Sequence, residues 1–206
     1  MKASFIDTWR FNSFRQKVKK AKVKGLIDRK EAYFLFSCAT NGNLDKGHIV
    51  EIGSFFGYST LFLAYGSRLR KRDRVVAIDP HIGNPEHQKD DPQFNSLAQF
   101  KKNIAMFDLQ DQIDLKVMPS SQAARQWRGE PVRLLWIDGN HDYEYVKEDY
   151  ELWEPYLVKG GILAFHDATS ISTWPGPKKL VEELAKSDKF EPFQYLHGIA
   201  WTRKLK

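Results

Sequence analysis

The chain has 206 residues, 42% of them hydrophobic and 14% aromatic, enough for one sizeable core and within the usual range of a single domain. The 28% of charged residues are too mixed in sign, and keep company with too many aromatics, for a disordered chain. Cys38 is the only cysteine, which excludes an intrachain disulfide and any zinc site built on several thiolates.

The formal charge is +6, and its location matters more than its size. Residues 1–30 hold ten Lys/Arg against Asp7 and Asp28, a local charge of +8. The other 176 residues hold 22 Lys/Arg and 24 acids, a charge of −2. The basic character therefore belongs to an N-terminal arm, residues 1–40, ahead of a nearly neutral body, residues 41–206. No apolar run is long enough to span a bilayer, and the N-terminus lacks the apolar core and cleavage site of a signal peptide. A cytoplasmic protein is expected.

In chain order, residues 5–24 are basic with scattered apolar positions, among them Trp9, Phe11, Phe14 and Val18. They read as an amphipathic helix on the domain, at a partner or on an acidic surface, or as a solvated helix packed by its aromatic edge. Ala32, Leu35, Phe36 and Ala39 give residues 28–39 a helical period, ended by Asn41-Gly42-Asn43. Strand and helix then alternate. Strands are expected at 49–53, 74–79, 113–118, 132–138 and 161–166. Helices are expected at 58–69, 93–107, 121–127, 143–157 and 177–186. Residues 80–92 form a polar loop, long for its place and suited to be a lid. A hairpin closes the chain, with strands at 190–196 and 199–203 around His197-Gly198. Doubly buried apolar runs separated by helices predict an α/β fold: a Rossmann-like parallel sheet, helices on both faces, and a C-terminal antiparallel hairpin strand.

In such sheets ligands bind at the carboxyl ends of the strands, near the reversal of strand order. The first strand ends in Glu51-Ile52-Gly53-Ser54-Phe55-Phe56-Gly57-Tyr58-Ser59. The two glycines allow close backbone approach to a ligand, or simply make a tight turn. The G-x-G-x-x-G spacing of dinucleotide folds is absent, which argues against a nicotinamide dehydrogenase. Asp79 stands 26 positions after Gly53, able to accept from ribose hydroxyls or to cap a loop. Ser121 and Gln122 follow the third strand, where Ser121 either caps a helix or meets an adenine edge. The fourth strand ends in Asp138-Gly139-Asn140-His141-Asp142 and the fifth in His166-Asp167. Adjacent strands would bring Asp138, His141, His166 and Asp167 together, as a divalent-ion site or as a metal-free general base. Asp142 reads as a helix cap. Phe55, Phe56, Trp136, Tyr143 and Trp174 line an acceptor pocket or belong to the core, with Trp136 assigned to the core.

Taken together, Glu51-x-Gly53-x-x-x-Gly57-Tyr58-Ser59, Asp79, Ser121-Gln122 and Asp138 resemble the class I methyltransferases of the catechol O-methyltransferase type, over residues 50–203. The runs AIDPHIG, IDGNHDYEYVKEDYELW and LVKGGILAFHDA are similar to a bacterial branch of small O-methyltransferases associated with sugar or secondary-metabolite modification. The resemblance implies S-adenosylmethionine as cofactor, bound by Glu51, Gly53, Gly57 and Ser59, with Gly53 against its methionine part and Ser59 on the carboxylate of that part, Asp79 on the ribose, and Ser121 and Gln122 on the adenine. It implies Asp138 as a ligand to magnesium or another divalent cation. Two departures stand out. The family places a lysine base three residues after that aspartate, where this chain has His141. The family's Asp-Asn ligand pair is here His166-Asp167.

The expected reaction is methyl transfer to a hydroxyl of a small molecule or sugar. Asp138, His166 and Asp167 would hold the ion, and His141 would take the proton. The rival reading is a non-catalytic S-adenosylmethionine-binding module acting through its basic arm. Nucleic-acid methylation is disfavoured, because the catalytic face lacks an Asn-Pro-Pro-Tyr-type motif. The resemblance also admits a homodimer paired through N-terminal helices.

Overall fold

The computed structural model describes residues 4–41 and 46–206. Gly42 and Asn43 of the turn expected after the second helix lie outside the described residues. Two helices open the chain, α1 (Phe5–Lys20) and α2 (Arg29–Asn41). Then follow β1 (His48–Ile52), α3 (Tyr58–Leu69), β2 (Val75–Ile78), α4 (Pro85–Asp90), α5 (Leu97–Ala105) and β3 (Ile113–Lys116). After these come α6 (Ser120–Gln126), β4 (Val132–Ile137), α7 (Tyr143–Trp153), β5 (Leu157–Phe165), α8 (Pro175–Leu184), β6 (Gln194–Leu196) and β7 (Ile199–Arg203). The strands form one seven-stranded sheet in the order β3-β2-β1-β4-β5-β7-β6. The first five in that order pair in parallel, and β7 pairs antiparallel with both β5 and β6. The order reverses between β1 and β4, so the open crevice of the sheet lies where their carboxyl ends meet.

The period of two along each strand divides the core into two layers. Ile49, Val75, Ala77, Leu134, Trp136, Ile162 and Ala164 face the layer made with α1, α2, α3 and α5. Val50, Ile52, Val76, Ile78, Leu135, Ile137, Leu163 and Phe165 face the layer made with α6, α7 and α8. Both faces are covered, which explains strands that read as continuous apolar runs.

The arm docks by its apolar edge. Phe11, Phe14 and Val18 are buried in the same layer as the α3 residues Leu61, Phe62 and Leu63. Phe14 stacks on Tyr65 at 4.0 Å, and Phe11 meets Phe62 at 5.5 Å. A buried phenylalanine of this kind contributes about 2–3 kcal/mol. Asp7, in the first turn of α1, is buried and accepts from Arg70 Nη2 at 2.8 Å. The opposite face leaves Phe5, Ile6 and Trp9 exposed. Arg133 of β4 is buried and donates to the Cys38 and Ala39 carbonyls near the end of α2, at 3.2 and 3.3 Å. That is favourable placement for a cation at a helix C-terminus. Burial, with the Arg72 charge nearby, outweighs Asp73 and pulls its pKa down to about 10.

Several elements differ from expectation in extent. The segment 80–92 contains α4, started by Pro85 at its first position and by an Asn84–His87 capping box. The helix expected to reach 157 ends at Trp153, because Pro155 has no N–H to continue it, and a 3-10 turn follows. β5 therefore begins at Leu157, four positions before the expected start, and its pairing with β4 slips between Val132 and Leu134. The first hairpin strand shrinks to β6 plus a single bridge from Phe190 to Lys204, with Pro192 unable to donate between them. Among the described residues no helix is long and apolar enough to cross a membrane.

Candidate active site

The turn after β1 supplies the first wall. Gly53 adopts φ +87°, and a Cβ there would lie 2.1 Å from the Asp138 carbonyl oxygen. Only glycine lets the ends of β1 and β4 approach this closely. Phe55 also takes a positive φ, 44°, and Asp79 holds the turn in that shape. Asp79 Oδ2 accepts from the Ser54 and Phe55 amides at 2.9 and 2.7 Å, while Oδ1 accepts from the His81 amide at 2.6 Å. The carboxylate expected to meet a ribose thus also organises the glycine turn. Gly57, φ +82°, is buried against Phe100 behind the turn.

Glu51 lies beneath this turn, fully buried on the α3 side. Oε2 accepts from Thr60 Oγ1 at 2.5 Å, and Ser59 bonds the same carboxyl group. Oε1 is buried without a hydrogen-bond partner. Burial dominates over these hydrogen bonds and pushes the Glu51 pKa up to about 8.

The second wall is a charged cluster at the ends of β4 and β5. His166 Nδ1 lies 3.0 Å from Asp138 Oδ1 and 3.2 Å from Asp167 Oδ2. His141 Nε2 lies 3.2 Å from the same Asp167 oxygen and 3.9 Å from Asp138 Oδ1. Asp167 reaches inward from a left-handed backbone, φ 51°, a conformation that is costly for a non-glycine residue and collects at functional sites. The His141 ring stacks on Trp174 at 5.2 Å and 18°. One ligand atom from each of these four residues falls within 4.8 Å of the others. Atoms bound about 2.1 Å from a common ion stand about 3.0 Å apart across an octahedral edge and about 3.4 Å apart across a tetrahedral one. The 3.0 and 3.2 Å separations match that spacing. Two carboxylates converging on imidazole nitrogens could serve as the donor set of a divalent ion. Burial works against a charged His166, but the Asp138, Asp167 and Glu31 carboxylates outweigh it and raise its pKa strongly. For Asp167, burial is outweighed by His141 and His166, which lower its pKa.

Both walls face one cavity of about 430 Å³. Gly53, Ser59, Asp79, Asp138, His141, His166 and Asp167 all line it, so most of the residues singled out in the sequence converge. Glu51 and Gly57 stand behind its wall. Ser121 and Gln122 do not line it: α6 begins one residue earlier, at Ser120, and it is Pro119 and Ser120 that face inward. Pro119 therefore occupies the cap position considered for Ser121. Asp142 does occupy the N-cap of α7, without a side-chain hydrogen bond. Phe55 and Phe56 line the cavity, whereas Trp136 is fully buried in the core. Ile82, His87 and Gln88 of the long loop close one side of it.

Three contributions escaped the sequence reading. Asp149 of α7 lines the cavity next to Ser120, and burial raises its pKa to about 7. The α1–α2 connection, Lys24 to Ile27, forms another wall, with Gly25 packed so closely on Tyr58 that a Cβ would overlap the ring. Glu31 of α2 reaches the cluster, 3.5 Å from His166 Nε2. A helical period carried no sign of these approaches, although the Asp28-x-x-Glu31 spacing is that of a capping box.

A methyltransferase-domain family model matches residues 50–168 of this chain. Among curated proteins, an uncharacterized protein of Acanthamoeba polyphaga mimivirus is 26% identical over 172 residues, covering 79% of this chain and 72% of that protein. The chain is also similar in structure to the calicheamicin methyltransferase CalS11, elsewhere described as a TDP-rhamnose 3'-O-methyltransferase, with TM-score 0.66, 20% identity, and 98% and 94% of the two chains covered. It is similar to the Bacillus cereus O-methyltransferase in complex with SAH, with TM-score 0.62, 17% identity, and 94% and 90% covered.

Proposed function

The chain belongs to the methyltransferase domain family, and from that premise we propose that it moves a methyl group from S-adenosylmethionine to a hydroxyl of a small molecule or sugar, with a divalent ion assisting. The observation that carries this reading is the convergence of the Gly53 turn, Asp79 and the Asp138–His141–His166–Asp167 cluster on one cavity. An O-methyltransferase with SAH and a sugar O-methyltransferase share the fold, which supports the cofactor and the acceptor class.

The cofactor would supply a methyl group on a positively charged sulfur, already a good leaving group. Gly53 and Ser59 would border its methionine part. Glu51, behind the wall, would support Ser59 and Thr60 from beneath the turn. Asp79 keeps acceptor capacity for ribose hydroxyls beyond the backbone bonds it makes, since each carboxylate oxygen accepts more than one. Pro119 and Ser120 would border the adenine, with Ser121 and Gln122 one helical step behind.

Asp138, His166 and Asp167 would hold the ion, which would lower the pKa of an acceptor hydroxyl and orient it. The two carboxylates suit Mn²⁺ or Mg²⁺, and the His166 imidazole suits Zn²⁺. His141, aligned by its stack on Trp174, would accept the hydroxyl proton at Nε2. The long loop and the Lys24–Ile27 connection would keep bulk water from the acceptor. Release of S-adenosylhomocysteine across a panel of diols, phenols and sugars tests this reading. Wild type should turn over at least one class, and Asp138→Ala should abolish that turnover. Full activity of the variant would refute the site.

A further inference from the structure

Glu31 lies in the basic arm, far in sequence from every residue discussed as catalytic, yet its side chain is only 4% exposed. Oε2 accepts from the Asp28 amide at 2.7 Å, and Asp28 Oδ1 accepts from the Glu31 amide at 2.8 Å. This reciprocal capping box fixes the start of α2. The other oxygen, Oε1, points away from the helix. It accepts from the Gly198 amide at 2.9 Å and lies 3.5 Å from both His166 Nε2 and His197 Nδ1. A Cβ at Gly198 would come within 2.7 Å of that oxygen, so the hairpin glycine makes the room it occupies.

We propose that Glu31 is a positioning residue of the metal centre: its carboxylate takes the Nε2–H of His166 and leaves Nδ1 aimed at the ion site shared with Asp138 and Asp167. The proposal rests on the metal reading above. The ring has a carboxylate at each end, 3.5 Å from Nε2 and 3.0 Å from Nδ1. A metal-binding imidazole backed by a carboxylate is fixed in tautomer and orientation and is a more basic ligand. The arm then does more than cover the cavity, because its second helix delivers a group that sets the geometry of the centre. Asp28, by contrast, supports α2 and contacts His197 without touching His166.

The test is Mn²⁺ affinity, measured by calorimetry and by the electron paramagnetic resonance of the free ion, for wild type, Glu31→Gln and Asp28→Ala. Glutamine keeps an acceptor for the Gly198 amide but removes the charge behind His166. Glu31→Gln should weaken Mn²⁺ binding about 10- to 100-fold, with far-ultraviolet circular dichroism unchanged. Asp28→Ala should lower the melting temperature and leave Mn²⁺ affinity within about twofold, well short of the outer-carboxylate effect. In Zn²⁺-loaded protein with ¹⁵N-labelled histidine, the slowly exchanging Nε2–H of His166 should be visible in wild type and lost in Glu31→Gln. Wild type that binds no Mn²⁺ would remove the metal centre and this inference together. Wild type that binds while Glu31→Gln binds equally well would overturn the inference alone. An equal loss in Asp28→Ala would also overturn it, since the effect would then come from the end of α2.

Discussion

Replacing Glu51 with glutamine should change how stability depends on pH more than it changes stability at any one acidic pH. The Glu51 carboxyl is fully buried and its pKa is raised from 4.5 to about 8, first by burial and only partly offset by Ser59 and Thr60. A raised carboxyl pKa means that the folded state holds a proton which the unfolded state releases. The stabilisation is fully present below pH 4.5 and is lost progressively as pH rises to about 8, beyond which the curve is flat. Each pH unit in that window costs about 1.4 kcal/mol, so the whole window has a ceiling of about 5 kcal/mol. Glutamine cannot ionise and is free of this loss. Other titrating groups, Asp149 and the histidine cluster among them, contribute alike to both proteins and cancel in the difference. Urea unfolding followed by tryptophan fluorescence, at pH 5, 6, 7 and 8, supplies the measurement. Glu51→Gln should be no more stable than wild type at pH 5 and about 2–5 kcal/mol more stable at pH 8. Parallel pH profiles for the two proteins would refute a protonated Glu51 in the folded state.

Gly53→Ala should lower the melting temperature markedly, because the new methyl group would sit 2.1 Å from the Asp138 carbonyl oxygen at φ +87°; a scan equal to wild type would contradict the close approach of β1 and β4. Asp7→Ala removes the buried partner of a half-exposed Arg70 and should cost about 1–3 kcal/mol. Limited proteolysis should then cut between α1 and α2 sooner, and an unchanged cleavage rate would speak against that anchor. His141→Ala should reduce kcat about 10²- to 10⁴-fold with a smaller change in KM, whereas a pure KM effect would make it a binding residue instead of a base.

Much of the architecture was legible because doubly buried strands are apolar on both faces, and the polar residues that end them stand out. Asp138, His166 and Asp167 could be assigned to one neighbourhood from strand adjacency alone. The start of α6 was misread by one position, since nothing in Pro119-Ser120-Ser121-Gln122 marks which serine begins it, and one residue rotates a helical side chain by about 100°. α4 was hidden in a segment rich in Pro, Asn and His, where Pro85 signals a helix start only if a helix is already expected. For the arm, both an interaction helix and a packed one suited the sequence. The pairing of buried Asp7 with half-exposed Arg70 and the Phe11, Phe14 and Val18 edge account for the packing. Glu31 could not be found from periodicity, because its partners are His166 and Gly198, brought close only when the hairpin folds over α2.

The most direct test of the account is calorimetric titration with S-adenosylmethionine, with and without Mn²⁺, on wild type and on Asp79→Ala. Binding should lie near micromolar Kd, about −8 kcal/mol. Asp79→Ala should weaken it at least tenfold, since the change removes both the proposed ribose acceptor and the bonds that shape the Gly53 turn. Absence of binding by wild type under either condition would contradict the central claim and leave only the fold.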